Sequence, residues 1–190
     1  MKTYFTKPLL DDYMKILKEG KSVVIPVAGT SMEPALDDGI DRVMLEYLSP
    51  DLSGFEQIQI GDICLFQRDN GSYVLHRVVK KVKEGNLKGQ KFVNIENNQP
   101  IYDISGPCIL FRGDNQIAVD IISPDGLRAR VIRSFHNGKW YGKYSFYWFF
   151  YCFFWARSSA CRTCGRQAAR FKAQVTSLLR RKKRSTQQGQ

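Results

Sequence analysis

Residues 62–82 read DICLFQRDNGSYVLHRVVKKV. Two runs rich in branched and aromatic residues flank Asn70-Gly71, the dipeptide best suited to a tight hairpin turn. Strict alternation along the second run puts His76 on one face with Val74, Val78 and Val82. The same texture extends outward in both directions. Strands are predicted at 23–27, 42–46, 62–67, 73–82, 91–95, 108–112, 117–122 and 128–135, separated by Gly, Asp, Asn and Pro, with a second turn signal at Asp125-Gly126. Many short strands at this spacing predict a mainly β fold, a compact, partly barrel-like antiparallel domain. Residues 8–19 read as a short amphipathic helix. Pro8 suits its start, Leu9, Leu10, Tyr13, Ile16 and Leu17 form one stripe, and Gly20 closes it. The reading divides the chain into a helix at 1–21, a β domain at 22–135 and a tail at 136–190.

Composition narrows the class. The chain has 190 residues, 43% hydrophobic and 25% charged, a globular balance that excludes wholesale disorder and fibrous repeats. No run of 18 uncharged apolar residues occurs, so no conventional transmembrane helix is expected. The net charge of +11 is unevenly spread. Residues 1–125 hold all 18 acids and 14 basic residues, a net −4, whereas residues 126–190 hold 15 basic residues and no acid, a net +15. Thirteen of the 24 aromatic residues lie between 135 and 155. A field of that sign seeks nucleic acid or anionic lipid.

The uncharged stretch at 144–156, YSFYWFFYCFFWA, is too short to span hydrocarbon as a helix, and Tyr and Trp favour the headgroup zone. Arg162, Arg166 and Arg170 follow at i+4 spacing, and 180–184 is a basic run. The tail is therefore expected to be helical and to lie on a membrane surface, at the cytoplasmic face, with a purely cytoplasmic protein as the alternative. Nucleic acid is not expected, because the aromatics form one block instead of alternating with the charges. Five cysteines make no even set, and charges interrupt every apolar run in the first 20 residues, so no secretory signal and no disulfide framework are expected. Cys161-x-x-Cys164 lacks a second pair at metal spacing. Neither metal nor cofactor is expected.

Three elements carry potential chemistry. Ser31, in V-A-G-T-S-M-E-P-A-L at 27–36, follows a predicted strand beside Gly29, in a segment that Pro34 keeps from continuing as strand. Such a turn exposes a hydroxyl and aims backbone N–H groups at one point, as a nucleophile with an oxyanion hole requires. The same residues also make an ordinary chain-turning loop. His76 lies on an apolar strand face, which keeps an imidazole neutral and able to accept a proton. The only other histidine, His136, sits in the unlike context F-H-N-G-K. Asp114, after Gly113 in a turn, and Asp120, at the end of the next run, are the carboxylates available to orient His76. Asp114 reads equally as a turn-capping residue.

Taken in order, G-x-S-M-x-P at 29–34, G-D-I-x-L-F at 61–66, H-R-V-V at 76–79, and G-D-N at 113–115 with a further Asp six residues on resemble the signal peptidase family. The resemblance spans residues 23 to 120, roughly half the chain. It is most similar to the endoplasmic-reticulum and sporulation type, which uses Ser–His where most bacterial members use Ser–Lys. The superfamily includes the LexA-like self-cleaving repressors. The resemblance implies a serine endopeptidase of mostly β fold that cleaves a leader or precursor peptide without metal, the substrate being added as an extended strand. It makes Ser31 the nucleophile, His76 the base, Asp120 the third catalytic position and Asp114 a supporting residue. Asp62, in G-D-I-C-L-F, also matches a family motif, and we read it as turn structure. Two departures stand out. Gly29 occupies the position where signal peptidases carry a hydroxyl residue, as it does in the LexA-like branch. The 30 residues before Ser31 are amphipathic where the histidine branch has a membrane span, and the tail is expected to replace that anchor. Two other classes compete: a non-catalytic peptide-binding member of the fold, and a basic nucleic-acid-binding regulator.

Overall fold

The computed structural model describes residues 7–142, except 84, 87–91, 102 and 105, together with 145. Helix α1 (Lys7–Lys18) is followed by strand β1 (Val23–Pro26), β2 (Arg42–Tyr47), the short helix α2 (Leu52–Gln57), β3 (Ile63–Gln67), β4 (Tyr73–Val82), β5 (Cys108–Arg112), β6 (Asp120–Ile122), β7 (Leu127–His136) and β8 (Lys139–Gly142). The eight strands form one antiparallel sheet in the order β1-β2-β7-β3-β4-β5-β6, with β8 also on β7. Two minor ladders, Gly85–Asn86 with Asp103–Ile104 and Phe92–Val93 with Pro100–Ile101, lie in the β4–β5 connection. The fold is mainly β with a short N-terminal helix, as the alternation predicts.

The long strand β7 organises the sheet. One edge pairs with β2, while the other pairs first with β3 and then, from Arg133, with β8. Bulges in both ladders, between Val131 and Arg133 and between Leu127 and Ala129, let one strand serve two partners by turning its edge. The β7–β8 hairpin crosses the 135/136 position at which the sequence reading ended the β domain. Its turn has both Asn137 and Gly138 at positive φ. Residues 146–190, which carry the aromatic block and the basic helix expected of the tail, lie outside the described residues.

The core divides along the two faces of β4. Tyr73 and Leu75 pack on one cluster with Leu17, Met32, Leu45, Leu65 and Val131, and Val74 and Val78 pack on another with Phe66, Phe111 and Leu127. Each side chain buried in these clusters contributes roughly 1.5–3 kcal/mol. The expectation that Val82 shares the His76 face is corrected. Val79 is an extra residue in the ladder with β5, so Val82 emerges on the opposite face and joins Cys108, Leu110 and Val119. The stripe of α1 is also narrower than expected. Leu10, Met14 and Leu17 are buried, whereas Leu9 and Ile16 are exposed. At 100° per residue the latter two fall on the flank, and Met14 takes the place given to them. Asp51 caps α2 by accepting from the N–H groups of Ser53 and Gly54, and the Ser49 and Ser53 hydroxyls, followed by the backbone bonds, lower its carboxyl to about 2.

Candidate active site

His76 and Asp120 come together across an intervening strand. Asp120 pairs with Phe111 of β5, and Phe111 pairs with Val78 of β4, two residues beyond His76 on the same face. Since β5 meets β4 only from Arg77 onward, nothing in the ladder separates His76 from Asp120 at that end. The imidazole Nδ1 lies 3.0 Å from Asp120 Oδ2, and both side chains are 2% exposed. The ring meets the edge of Phe66, with 6.0 Å between centroids, and Phe66 in turn stacks on Phe111. His76 therefore sits at the rim of an apolar cluster with one nitrogen committed to a carboxylate. That leaves Nε2 as its proton-accepting atom.

Asp114 does not orient His76. It accepts two hydrogen bonds from Arg77, Nε to Oδ1 at 2.8 Å and Nη2 to Oδ2 at 2.7 Å, and Arg77 Nη1 donates to the Gly61 carbonyl at 2.9 Å. His76 and Arg77 are consecutive, so a pleated strand sends them to opposite faces. Each meets a different aspartate of the 114–120 segment. The alternative left open by sequence is thus divided: Asp120 lies on the histidine and Asp114 on the arginine. Asp62 accepts from the Gln59 N–H, the turn role expected of it.

Ser31 lies in the turn after β1. Its carbonyl accepts from the Asn115 N–H at 2.9 Å, and the Thr30 carbonyl accepts from Asn115 Nδ2 at 3.3 Å. The β5–β6 turn is thereby docked against the Ser31 turn. The approach is close enough that a Cβ on Gly113 would lie 2.6 Å from the Ser31 carbonyl oxygen, so only glycine fits there. Among the described residues the Ser31 N–H donates to no protein acceptor, whereas the Gly29 N–H is taken by Asp38 Oδ1 at 2.8 Å. Ser31 borders a cleft of about 400 Å³ between the end of β1 and residues 71–75 at the start of β4, with Ile25, Met32, Leu65 and Leu75 among its apolar walls. No hydrogen bond joins the His76 imidazole to the Ser31 hydroxyl. Such bonds are often long before substrate binds.

Arg68 is the residue the sequence reading missed. From the end of β3 its Nε donates to Asp120 Oδ1 at 2.6 Å and its Nη2 to Oδ2 at 3.1 Å. Burial pushes the Asp120 carboxyl up, but the hydrogen bonds from His76 and Arg68 and the charge of Arg68 outweigh it and hold the group below its ordinary value. A carboxyl depressed in the fold contributes stability above its unfolded value and loses it as pH falls through the folded one. Arg68→Met is therefore expected to cost about 1.5–3 kcal/mol at pH 7. Urea unfolding at neutral and acid pH measures this. The deficit should shrink in acid, and one that stays constant with pH would refute the Arg68 role.

No family model matches the chain, and no curated protein matches it.

Proposed function

We propose that this protein is a serine endopeptidase of signal-peptidase type that cleaves a leader or precursor peptide, with Ser31 as nucleophile and His76 as general base. The observation that carries the proposal is the buried His76–Asp120 pair, clamped by Arg68, in which Asp120 follows the β5–β6 turn whose Asn115 N–H donates to the Ser31 carbonyl. Asp120 accepts the Nδ1 proton, fixes the tautomer and stabilises the imidazolium. His76 Nε2 takes the Ser31 proton as Oγ attacks the substrate carbonyl, and the Ser31 N–H stabilises the oxyanion. His76 then protonates the leaving amine, and water, deprotonated in turn by His76, releases the acyl group. Productive binding must draw the Ser31 hydroxyl within reach of Nε2. A peptide strand has a place to do so. Among the described residues β1 pairs only with β2, and residues 73–76 of β4 lack a partner on the side away from β3. An extended peptide entering the cleft would satisfy both edges.

The direct test incubates wild type and Ser31→Ala with leader-type peptides and anionic liposomes and reads intact mass. Cleavage by wild type alone supports the proposal. A wild-type chain that shortens while the variant stays whole identifies self-processing. Equal cleavage by both discards it. A peptide-binding module would instead bind leaders without labelling by serine-directed reagents.

The tail supplies the membrane arm of the proposal. Each Lys or Arg near an anionic leaflet contributes about 1 kcal/mol, and the aromatic block adds interfacial burial. Removal of residues 146–190, which spares β8, is expected to abolish flotation with anionic liposomes. Undiminished flotation would reject the membrane role.

A further inference from the structure

Asp37, Asp41 and His136 meet at the far side of the loop that carries Ser31. Asp37 and Asp41 lie in the β1–β2 connection, and His136 ends β7, where Arg42 pairs with Phe135. One ligand-type atom from each of the three lies within 4.8 Å of the others. Asp41 is 1% exposed. Its Oδ2 accepts from the Asp37 N–H at 2.8 Å and lies 2.6 Å from His136 Nδ1. Its Oδ1 is buried and has no partner. A buried carboxylate oxygen with nothing to bind keeps the full penalty of leaving water, so a fold that retains one requires an explanation. Ser134 Oγ, two residues from His136 along β7, is a second buried oxygen without a partner.

We propose that Asp37, Asp41 and His136 form a divalent transition-metal site. Two carboxylates and one imidazole suit borderline ions such as Zn²⁺ or Co²⁺ over Mg²⁺ and Ca²⁺, which prefer all-oxygen shells. Ligand bonds of about 2.1 Å to one tetrahedral ion set ligand atoms about 3.4 Å apart, so the 2.6 Å contact between His136 Nδ1 and Asp41 Oδ2 must open slightly to admit the ion. Ligation takes the neutral imidazole through Nδ1 with its one proton on Nε2, so a proton on Nδ1 moves to Nε2 of a neutral ring or, from an imidazolium, leaves to solvent. The Asp41 carbonyl accepts from the Val27 N–H, and the Val27 carbonyl accepts from the Gly39 N–H. An ion here therefore ties the loop downstream of Ser31 to the end of β7. The site stands independently of the peptidase proposal.

The test titrates Co²⁺ into metal-stripped full-length protein in which Cys152, Cys161 and Cys164 are Ser, so that tail thiols do not compete. The buried Cys108 does not compete either, since burial raises its thiol to about 11. The expected result is one Co²⁺ per chain, with weak visible absorption from nitrogen and oxygen ligands and a Tm that climbs with Co²⁺. His136→Gln and Asp37→Asn should each weaken binding by more than the 10–100-fold typical of losing an outer-shell partner. Asp37 is only half-buried, so its variant decides the matter should His136→Gln fail to fold. Absence of saturable uptake, affinity unchanged in Asp37→Asn, or intense near-ultraviolet absorption from thiolate ligands would each overturn the site.

Discussion

Ser31→Ala is expected to lower leader-peptide cleavage by about 10⁶-fold, the scale on which removal of a serine nucleophile acts in other enzymes. Its stability should move by no more than about 0.5 kcal/mol, because the hydroxyl lies half-buried in a turn and no side-chain bond holds it. His76 is different. Its side chain is 2% exposed, bonded to Asp120 and packed on Phe66. Truncation to Ala would open a cavity and leave Asp120 with Arg68 alone, at a cost of about 1–3 kcal/mol. His76→Gln keeps most of the volume and is the cleaner functional variant. On the proposed mechanism it should match Ser31→Ala in lost cleavage, and the double variant should be no worse than either single, as for residues that act as one unit. Single-turnover cleavage followed by intact mass reads all three. Near-wild-type cleavage in either single variant, or multiplicative losses in the double, would refute the paired mechanism.

The parts of this molecule that were legible in the sequence are those set by short-range rules. The Asn70-Gly71 turn and the alternation beside it fix β4 as residues 73–82, and the structure has β4 at Tyr73–Val82. The 108–112 run likewise matches β5, Cys108–Arg112. What was hidden depends on pairing. The bulge at Val79 has no local signature, because V-V-K-K-V alternates as well in either register, and only the ladder with β5 reverses Val82. Helix α2 is six residues long and depends on one cap, too little for a periodicity to register. Strand β8 sits in an aromatic, basic stretch that reads as tail, yet Trp140 packs on Phe135 with 5.4 Å between ring centroids. Arg68 reads as a solvated turn residue in R-D-N-G. Only the sheet order, which sets β6 beyond β5, brings Asp120 within its reach. The Asp41–His136 contact spans 95 positions and was invisible for the same reason.

Asp114→Ala is expected to destabilise the fold by about 3–5 kcal/mol. Arg77 is 1% exposed and Asp114 4%, so the pair is desolvated on both sides. Desolvation of two charges offsets much of their attraction, and the intact pair contributes little net stability. Removal of one partner is another matter, because the other charge stays buried. Arg77 would retain the Gly61 carbonyl but lose both carboxylate contacts. Arg77→Met should cost a similar amount by removing both guanidinium contacts from the buried Asp114 carboxylate. The double variant Arg77→Met/Asp114→Leu should recover most of the loss, since it buries no charge. Urea unfolding of the three variants measures the cycle. A single-variant cost below about 1 kcal/mol, or a double variant as unstable as the sum of the singles, would show that the pair is not desolvated as described. The cycle also separates stability from catalysis. Asp114 is flanked by Gly113, which leaves no room for a Cβ against the Ser31 carbonyl, and by Asn115, whose N–H donates to it. The recovered double variant should therefore fold and still cleave poorly, because an apolar pair restores burial without restoring the turn that positions Ser31.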